Sequence, residues 1–193
     1  RLPVGPALLV GNHSGASLSI DTFLFAAAVI RERGVNALPF GLAHDFVMRL
    51  PVLNPLLSEL GAVRACEENA HRLFALGRQV MVYPGGDRDA MRPYRARNEV
   101  RFDGRSGFAR LAIRAGVPVV PIVTHGAHGT LIVIDDLRWL ARASGAERYL
   151  RLKVLPLSLS IPWGLTLGPP LPYFPLPSRI TTEVLPPDRK SVV

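Results

Sequence analysis

Cysteine is almost missing from this chain. Cys66 stands alone, so no internal disulfide forms and a disulfide-stapled secreted scaffold is excluded. Lysine is nearly missing as well: of 23 basic residues only Lys153 and Lys190 are lysines, and the formal charge of +8 rests on arginine. No apolar run approaches the roughly 20 residues that a membrane-crossing helix needs. There is no G-x-S-x-G elbow for a serine hydrolase. His125 and His128 in "THGAHG" lack the cysteine or carboxylate partners that would complete a metal site. No metal or cofactor is therefore expected.

What is present is a globular balance. The 193 residues are 48% hydrophobic and 20% charged, which suits one domain with a substantial core. The arginine excess fits an anionic membrane surface, nucleic acid, or an acyl-CoA or phosphate ligand. An arginine-rich coding bias would produce it with no function at all. The chain opens at Arg1 inside a strand-like pattern, so preceding residues are expected. Residues 1–187 read as one domain, truncated at both ends. The last six residues, 188–193, match the translation of a common sequencing adapter and read as non-native.

Apolar strands alternate with amphipathic helices along most of the chain. "PALLVGN" is a buried strand, and "DTFLFAAAVIRERG" is a helix opened by Asp21 and closed by glycine. "NALPFGLA" and "GAVRA" read as strands, and "HDFVMRLPVLNPLLSELG" as two short helices divided by proline. "CEENAHRLFALG" and "RSGFARLAIRAG" are helices; "QVMVYPGG" and "VPVVPIVTHG" are strands. "DDLRWLARASG" reads as a helix and "RYLRLKVLP" as a strand, followed by short strands and turns. The expected fold is α/β, a single domain with a mainly parallel central sheet flanked by helices.

Three stretches, "VGNHSG", "VYPGGDRD" and "PIVTHGAHG", sit at strand ends, where sites gather in parallel sheets. In "VGNHSGASLSIDTF", His13 and Asp21 flank a loop of small residues. A neutral imidazole takes a proton from a hydroxyl best when a carboxylate holds its other nitrogen. The residues also allow Asp21 simply to cap the helix; because Asn caps about as well as Asp, Asp21→Asn is expected to impair rate but to cost little stability. In "VYPGGDRDAMRP", Gly85 and Gly86 permit close backbone approach, and Arg88 with Asp87 and Asp89 also fits a charge-balanced turn. Arg64 ends a short strand, well placed for a phosphate or carboxylate, and equally for plain solvent.

Taken in order, these stretches resemble the PlsC-like glycerolipid acyltransferase superfamily, from about Ala7 to Arg179. "NHSGASLSID" resembles its His-and-Asp block, "LGAVRACEENAHRLFALGRQVMVYPGGDRDAMRP" its second and third blocks, and "GRSGFARLAIRAGVPVVPIVTHGAH" its fourth. Two departures stand out. The family aspartate would fall at Leu18, whereas here it is Asp21. Gly85 stands where the third block usually has glutamate. Both are similar to the monoacylglycerol/diacylglycerol acyltransferase and phytyl ester synthase branch, with Asp89 as the acid after the Pro-Gly-Gly turn.

The resemblance implies O-acyl transfer from acyl-CoA or acyl carrier protein to a lipid alcohol, acylglycerol or lysophospholipid. It implies His13 as general base and Asp21 as its orienting group. Asn12, Arg64, Pro84, Gly85, Gly86, Arg88 and Asp89 would line the substrates, with backbone N–H groups around Gly85 and Gly86 as oxyanion donors. No nucleic acid partner is implied. The place of work would be the cytoplasmic face of a membrane, bound peripherally, in a bacterium. "VMRLPVLNPLL" and "SIPWGLTLGPPLPYFPLP", with Trp163 and Phe174, are the stretches expected to touch it. A 1-acylglycerol-3-phosphate acyltransferase, a lipid hydrolase using the same pair, and an inactive basic binding domain remain alternatives.

Overall fold

The computed structural model describes residues 2–44, 48–49, 51, 53–150 and 152–188. Its centre is β1 (Ala7–Gly11), buried at every position. Such an unbroken apolar strand requires cover on both faces, the mark of a parallel sheet. The strands β2 (Phe40–Ala43), β3 (Ala62–Arg64), β4 (Gln79–Val82), β5 (Val119–His125) and β9 (Thr181–Val184) join it in the order β3-β2-β4-β1-β5-β9. All neighbours pair in parallel except β9, which runs antiparallel to β5.

Side chains alternate across this sheet. Leu8, Val10 and Val80 face α3 (Glu67–Ala75) and α5 (Gly107–Ala115), packing on Ala70, Leu73, Phe74, Leu111 and Ala112. Ala7, Leu9, Met81, Val120 and Ile122 face α1 (Ile20–Arg33) through Phe25 and Val29. Leu8 and Leu9 are fully buried, each contributing roughly 1.5–3 kcal/mol relative to exposure. Glycine closes α1 at Gly34 and α5 at Gly116, where positive φ is needed and only glycine adopts it without strain.

Two further short helices are α2 (Leu53–Glu59) and α4 (Gly86–Ala90). A second sheet was not expected. Three strands, β6 (Ile132–Asp135), β7 (Leu157–Ser160) and β8 (Gly164–Leu167), form a separate antiparallel sheet in sequence order. Two short helices, α6 (Arg138–Ala143) and α7 (Ala146–Tyr149), connect β6 to β7. The strand expected in "RYLRLKVLP" is not formed. Its first residues close α7 and the strand begins after Pro156, where Leu and Ser alternate. Of the two helices expected in "HDFVMRLPVLNPLLSELG", α2 forms over Leu53–Glu59; residues 45–47, 50 and 52 lie outside the described set. Asp188, the first residue of the expected foreign tail, pairs with Val119; residues 189–193 lie outside the described residues.

Candidate active site

Where β1 ends, Gly11 lets an aromatic ring come close. A Cβ there would lie 2.8 Å from the Tyr83 ring, too near for any other residue. Tyr83 uses that space to stack on His13, with centroids 4.5 Å apart and planes 22° from parallel. Asn12 ties the loop to β5: its amide donates to the Thr124 carbonyl at 2.7 Å and its oxygen accepts the Thr124 N–H at 2.8 Å. Asn12, expected to touch substrate, therefore serves as a buried brace.

The segment from Ser14 to Ile20 folds back on itself. A 3-10 turn at Ala16–Leu18, with positive φ at Ala16 and Ser19, takes up the extra length. Asp21 consequently returns to His13, with Oδ2 3.0 Å from Nδ1. Gly15 makes the approach possible, since a Cβ there would sit 2.3 Å from Asp21 Oδ1. Ser19, not Asp21, holds the cap position of α1, and it makes no side-chain cap bond. Asp21 lies inside the first turn, almost fully buried, where the helix dipole favours an anion. Its oxygens also accept the N–H of Ser14 at 2.7 Å and of Thr22 at 2.9 Å.

These contacts set the charges. Burial alone would raise the Asp21 carboxyl, but His13 and the two amides outweigh it and hold the group at about 2. Burial alone would lower the His13 imidazolium, but Asp21, and further off Asp89, carry it above its ordinary value. With Asp21 ionised, Nδ1 carries the proton and Nε2 presents a lone pair. That Nε2 lies 3.4 Å from the Ser19 hydroxyl, longer than a strong O–H···N bond and open to replacement by a substrate hydroxyl. An amide at position 21 would offer one acceptor oxygen to the donors now served by two, so the small stability cost expected for Asp21→Asn does not hold.

A second carboxylate supports the histidine from behind. Asp89 is fully buried. It accepts the His13 N–H at 2.6 Å and the Arg101 N–H at 3.2 Å, and pairs with the Arg92 guanidinium. Arg92 in turn donates to His128 Nε2 at 2.6 Å. Burial, with the Arg92 charge next, pushes His128 down to about 3, so its imidazole is neutral. Asp89 was expected at the substrate; the structure uses it to fix the His13 backbone. Gly85 explains the missing glutamate of this turn. A Cβ at Gly85 would meet Asp89 Cβ at 2.3 Å and the Arg101 carbonyl at 2.6 Å, so the space is already filled. We expect Gly85→Ala to displace Asp89, to cost about 1–3 kcal/mol, and to lower any His13-dependent rate; thermal unfolding and kinetics on the same preparation check it.

The remaining expected residues lie at various distances from His13. Gly86 adopts φ +55° and its N–H donates to the Tyr83 carbonyl at 3.1 Å, so that amide is committed to the turn and is not an oxyanion donor. Pro84 offers its carbonyl to Arg105 at 2.7 Å. Arg88 pairs with Asp103 at 2.9 Å. Arg64 stands at the same carboxyl-end edge of the sheet, but on β3, with β4 and β2 between it and β1. At roughly 4.8 Å per strand that is about 14 Å. His125 is exposed at the end of β5 whereas His128 is buried. Among the described residues no cluster of three or more His, Cys, Asp or Glu is placed to hold a metal ion.

Tyr83, Arg92 and His128 were not foreseen as parts of the site. The Asp89–Arg92 spacing of three residues in a helical turn was the one available signal. Nothing local marks His128 as the partner of Arg92.

Residues 1–125 match the model of the family described as Acyltransferase. An uncharacterized protein of Mycobacterium tuberculosis (strain ATCC 25618 / H37Rv) is 32% identical over 175 residues, 91% of this chain and 46% of that one. The Bos taurus protein named "DGAT1/2-independent enzyme synthesizing storage lipids" is 30% identical over 194 residues, 98% of this chain and 54% of its own length. The crystal structure of the 1-acyl-sn-glycerophosphate (LPA) acyltransferase PlsC from Thermotoga maritima superposes with a TM-score of 0.43 at 19% identity, over 67% of this chain and 47% of that one. The chain spans about half the length of the curated relatives it matches.

Proposed function

The chain belongs to the acyltransferase family, and from that premise we propose that it transfers a fatty acyl group from an acyl thioester, CoA or acyl carrier protein, to a lipid hydroxyl. The observation that carries the proposal is the His13–Asp21 pair, 3.0 Å apart, at the carboxyl end of the central strand. His13 Nε2 takes the proton as the acceptor oxygen attacks the thioester carbonyl carbon. The tetrahedral intermediate collapses with cleavage of the C–S bond, and the imidazolium returns its proton to the departing thiolate. Asp21 holds the ring in the required tautomer and offsets its transient charge. The reaction needs neither an acyl-enzyme nor a metal.

The acceptor is a neutral or weakly charged lipid: a long-chain alcohol, an acylglycerol or a lysophospholipid. Two features support this. The turn at Gly85 has no room for a glutamate side chain, and relatives bear a name that refers to storage-lipid synthesis. Arg64 is assigned to an anionic part of a substrate, with the CoA phosphates preferred. We assign its work to the cytoplasmic face of a membrane, where a water-borne thioester meets a lipid-borne acceptor.

The deciding measurement is parallel rates with glycerol-3-phosphate, lysophosphatidate, monoacylglycerol and a fatty alcohol. The expected order places a neutral acceptor first. Preference for either phosphorylated acceptor by more than about tenfold, some 1.4 kcal/mol in transition-state binding, overturns the acceptor assignment. Arg64→Ala is expected to raise KM for acyl-CoA alone; a loss confined to phosphorylated acceptors would move Arg64 to the acceptor side.

A further inference from the structure

The small antiparallel sheet is built inside out. Leu157 pairs with Leu167 and Leu159 with Leu165 across β7 and β8, while Ser158 pairs with Thr166. In a soluble protein the leucine face would turn inward. Here Ser158 and Ser160 are buried, and Leu165 and Leu167 stay 63% and 60% exposed. Leu159, Ile134 and Ile161 are exposed as well, and Trp163 and Phe174 lie at the turn end of the hairpin. From 154 to 178 the chain carries no charged residue at all.

The inner face of this sheet is fastened to the catalytic loop. Val133 of β6, Leu131, Val154 and Tyr173 pack on Ala16, with Leu18 against them. The Ser17 hydroxyl donates to the Pro170 carbonyl at 2.9 Å. The loop between His13 and Asp21 is thus held directly beneath the sheet whose other side is apolar.

The connection between β6 and β7 supplies the charge. Residues 136–156 contain Arg138, Arg142, Arg148, Arg151 and Lys153 against two acids, Asp136 and Glu147, which pair with Arg138 and Arg142, so the connection keeps an excess of three positive charges. Trp139 and Tyr149 are exposed among them, at 66% and 77%. The Leu155 N–H donates to the Asp136 carbonyl, which places this basic stretch at the end of the hairpin opposite Trp163. Leucine, aromatic rings and a basic border are the combination that binds an anionic lipid interface.

We propose that the outer face of the β6–β7–β8 sheet, with the basic α6–α7 connection at its edge, docks on an anionic lipid bilayer and so brings the His13 loop to a lipid acceptor. The occupant is a bilayer and not a protein surface because the apolar face and the excess positive charge are adjacent and match acyl chains and acidic headgroups together. The acceptor half of this statement rests on the acyltransferase proposal; the docking half does not. Of the two stretches expected at a membrane, the one holding Trp163 and Phe174 belongs to this face. Part of the other, near residue 50, lies outside the described residues.

Flotation with phosphatidylcholine vesicles, with and without phosphatidylglycerol, tests the face. The protein is expected to float with anionic vesicles, and to be released several-fold by salt of about 0.5 M, where surface charges are screened within a few ångströms. Leu165→Glu should lower the bound fraction about tenfold with an unchanged melting temperature. Leu76→Glu, an equally exposed leucine at the end of α3, should leave it unaltered. Absence of wild-type binding, equal loss in both variants, or a dimer in solution that Leu165→Glu dissociates without wild-type vesicle binding would each overturn the proposal. Rates on a water-soluble short-chain alcohol separate the two claims. Leu165→Glu should match wild type there and fall only on vesicle-borne acceptor. No transfer to any acceptor by a protein that still floats would sink the acyltransferase reading and leave the docking face standing.

Discussion

His13→Ala is expected to abolish acyl transfer. A positioned general base contributes roughly 10²–10⁴-fold, and no other group among the described residues takes the place of Nε2. His128, the other imidazole of the network, is held neutral but spends its lone pair on Arg92. The fold should survive the substitution. Asp21 keeps the Ser14 and Thr22 amides as partners, and His13 contributes no side chain to the core clusters. His13→Gln supplies a second variant, which retains a donor for Asp21 and has no usable base. Initial rates with labelled acyl-CoA and a neutral acceptor, alongside thermal melts, decide the matter. A folded His13→Ala enzyme with more than about half the wild-type rate, well under 1 kcal/mol of lost stabilisation, removes His13 from the mechanism.

Asp21→Asn is expected to combine a large rate loss with two further signatures. The rate should drop by roughly 10²–10⁴, because an amide neither offsets imidazolium charge nor enforces the Nδ1–H tautomer. The pH profile should move as well. Transfer needs unprotonated His13, so the wild-type rate rises with pH through a value above the ordinary one for histidine. Without that carboxylate, burial, the largest influence and one that lowers the value, is opposed only by the smaller effect of Asp89. The acid limb of the variant must therefore shift to lower pH. A shift upward, or none, would show that Asp21 does not act on His13 charge.

Stability is the third signature. Asp21, depressed to about 2, stabilises the folded state above its ordinary carboxylate value, and this is lost as pH falls towards 2. His13, raised, stabilises below the ordinary histidine value, and this is lost as pH rises through the folded value. The gap between wild type and Asp21→Asn should hence be widest between about pH 4 and 6.5, at about 1–3 kcal/mol including the unsatisfied amide donors. Denaturant midpoints at pH 3, 5.5 and 8.5 check the shape.

Much of this site was legible before the fold was. The apolar run at Ala7–Val10 announces a central strand because only a strand covered on both faces dispenses with alternation. Gly34 and Gly116 mark helix ends because their φ values are open to glycine. His13 and Asp21 were visible as neighbours in sequence, but their contact was not. It depends on the 3-10 turn at Ala16–Leu18, which moves Asp21 off the cap position and brings it within 3.0 Å of the imidazole. The strand expected in "RYLRLKVLP" failed because its alternation of apolar and basic residues fits a strand and a basic helix end equally well.

By itself the sequence determined the local matters: the alternation of strands and helices, the glycine stops, the family blocks in their order, and the charge carried by arginine. Periodicity and backbone preference act over a few residues, and these are written within a few residues. Only the tertiary structure decided that Asp89 stands behind His13, that Arg92 meets His128, that Asn12 braces Thr124, and that the leucines of β7 and β8 point outward. Asn12 and Thr124 are 112 residues apart, and their meeting depends on β1 lying beside β5. Strand order and the choice of inward face are settled by which packing buries the most apolar surface over the whole chain.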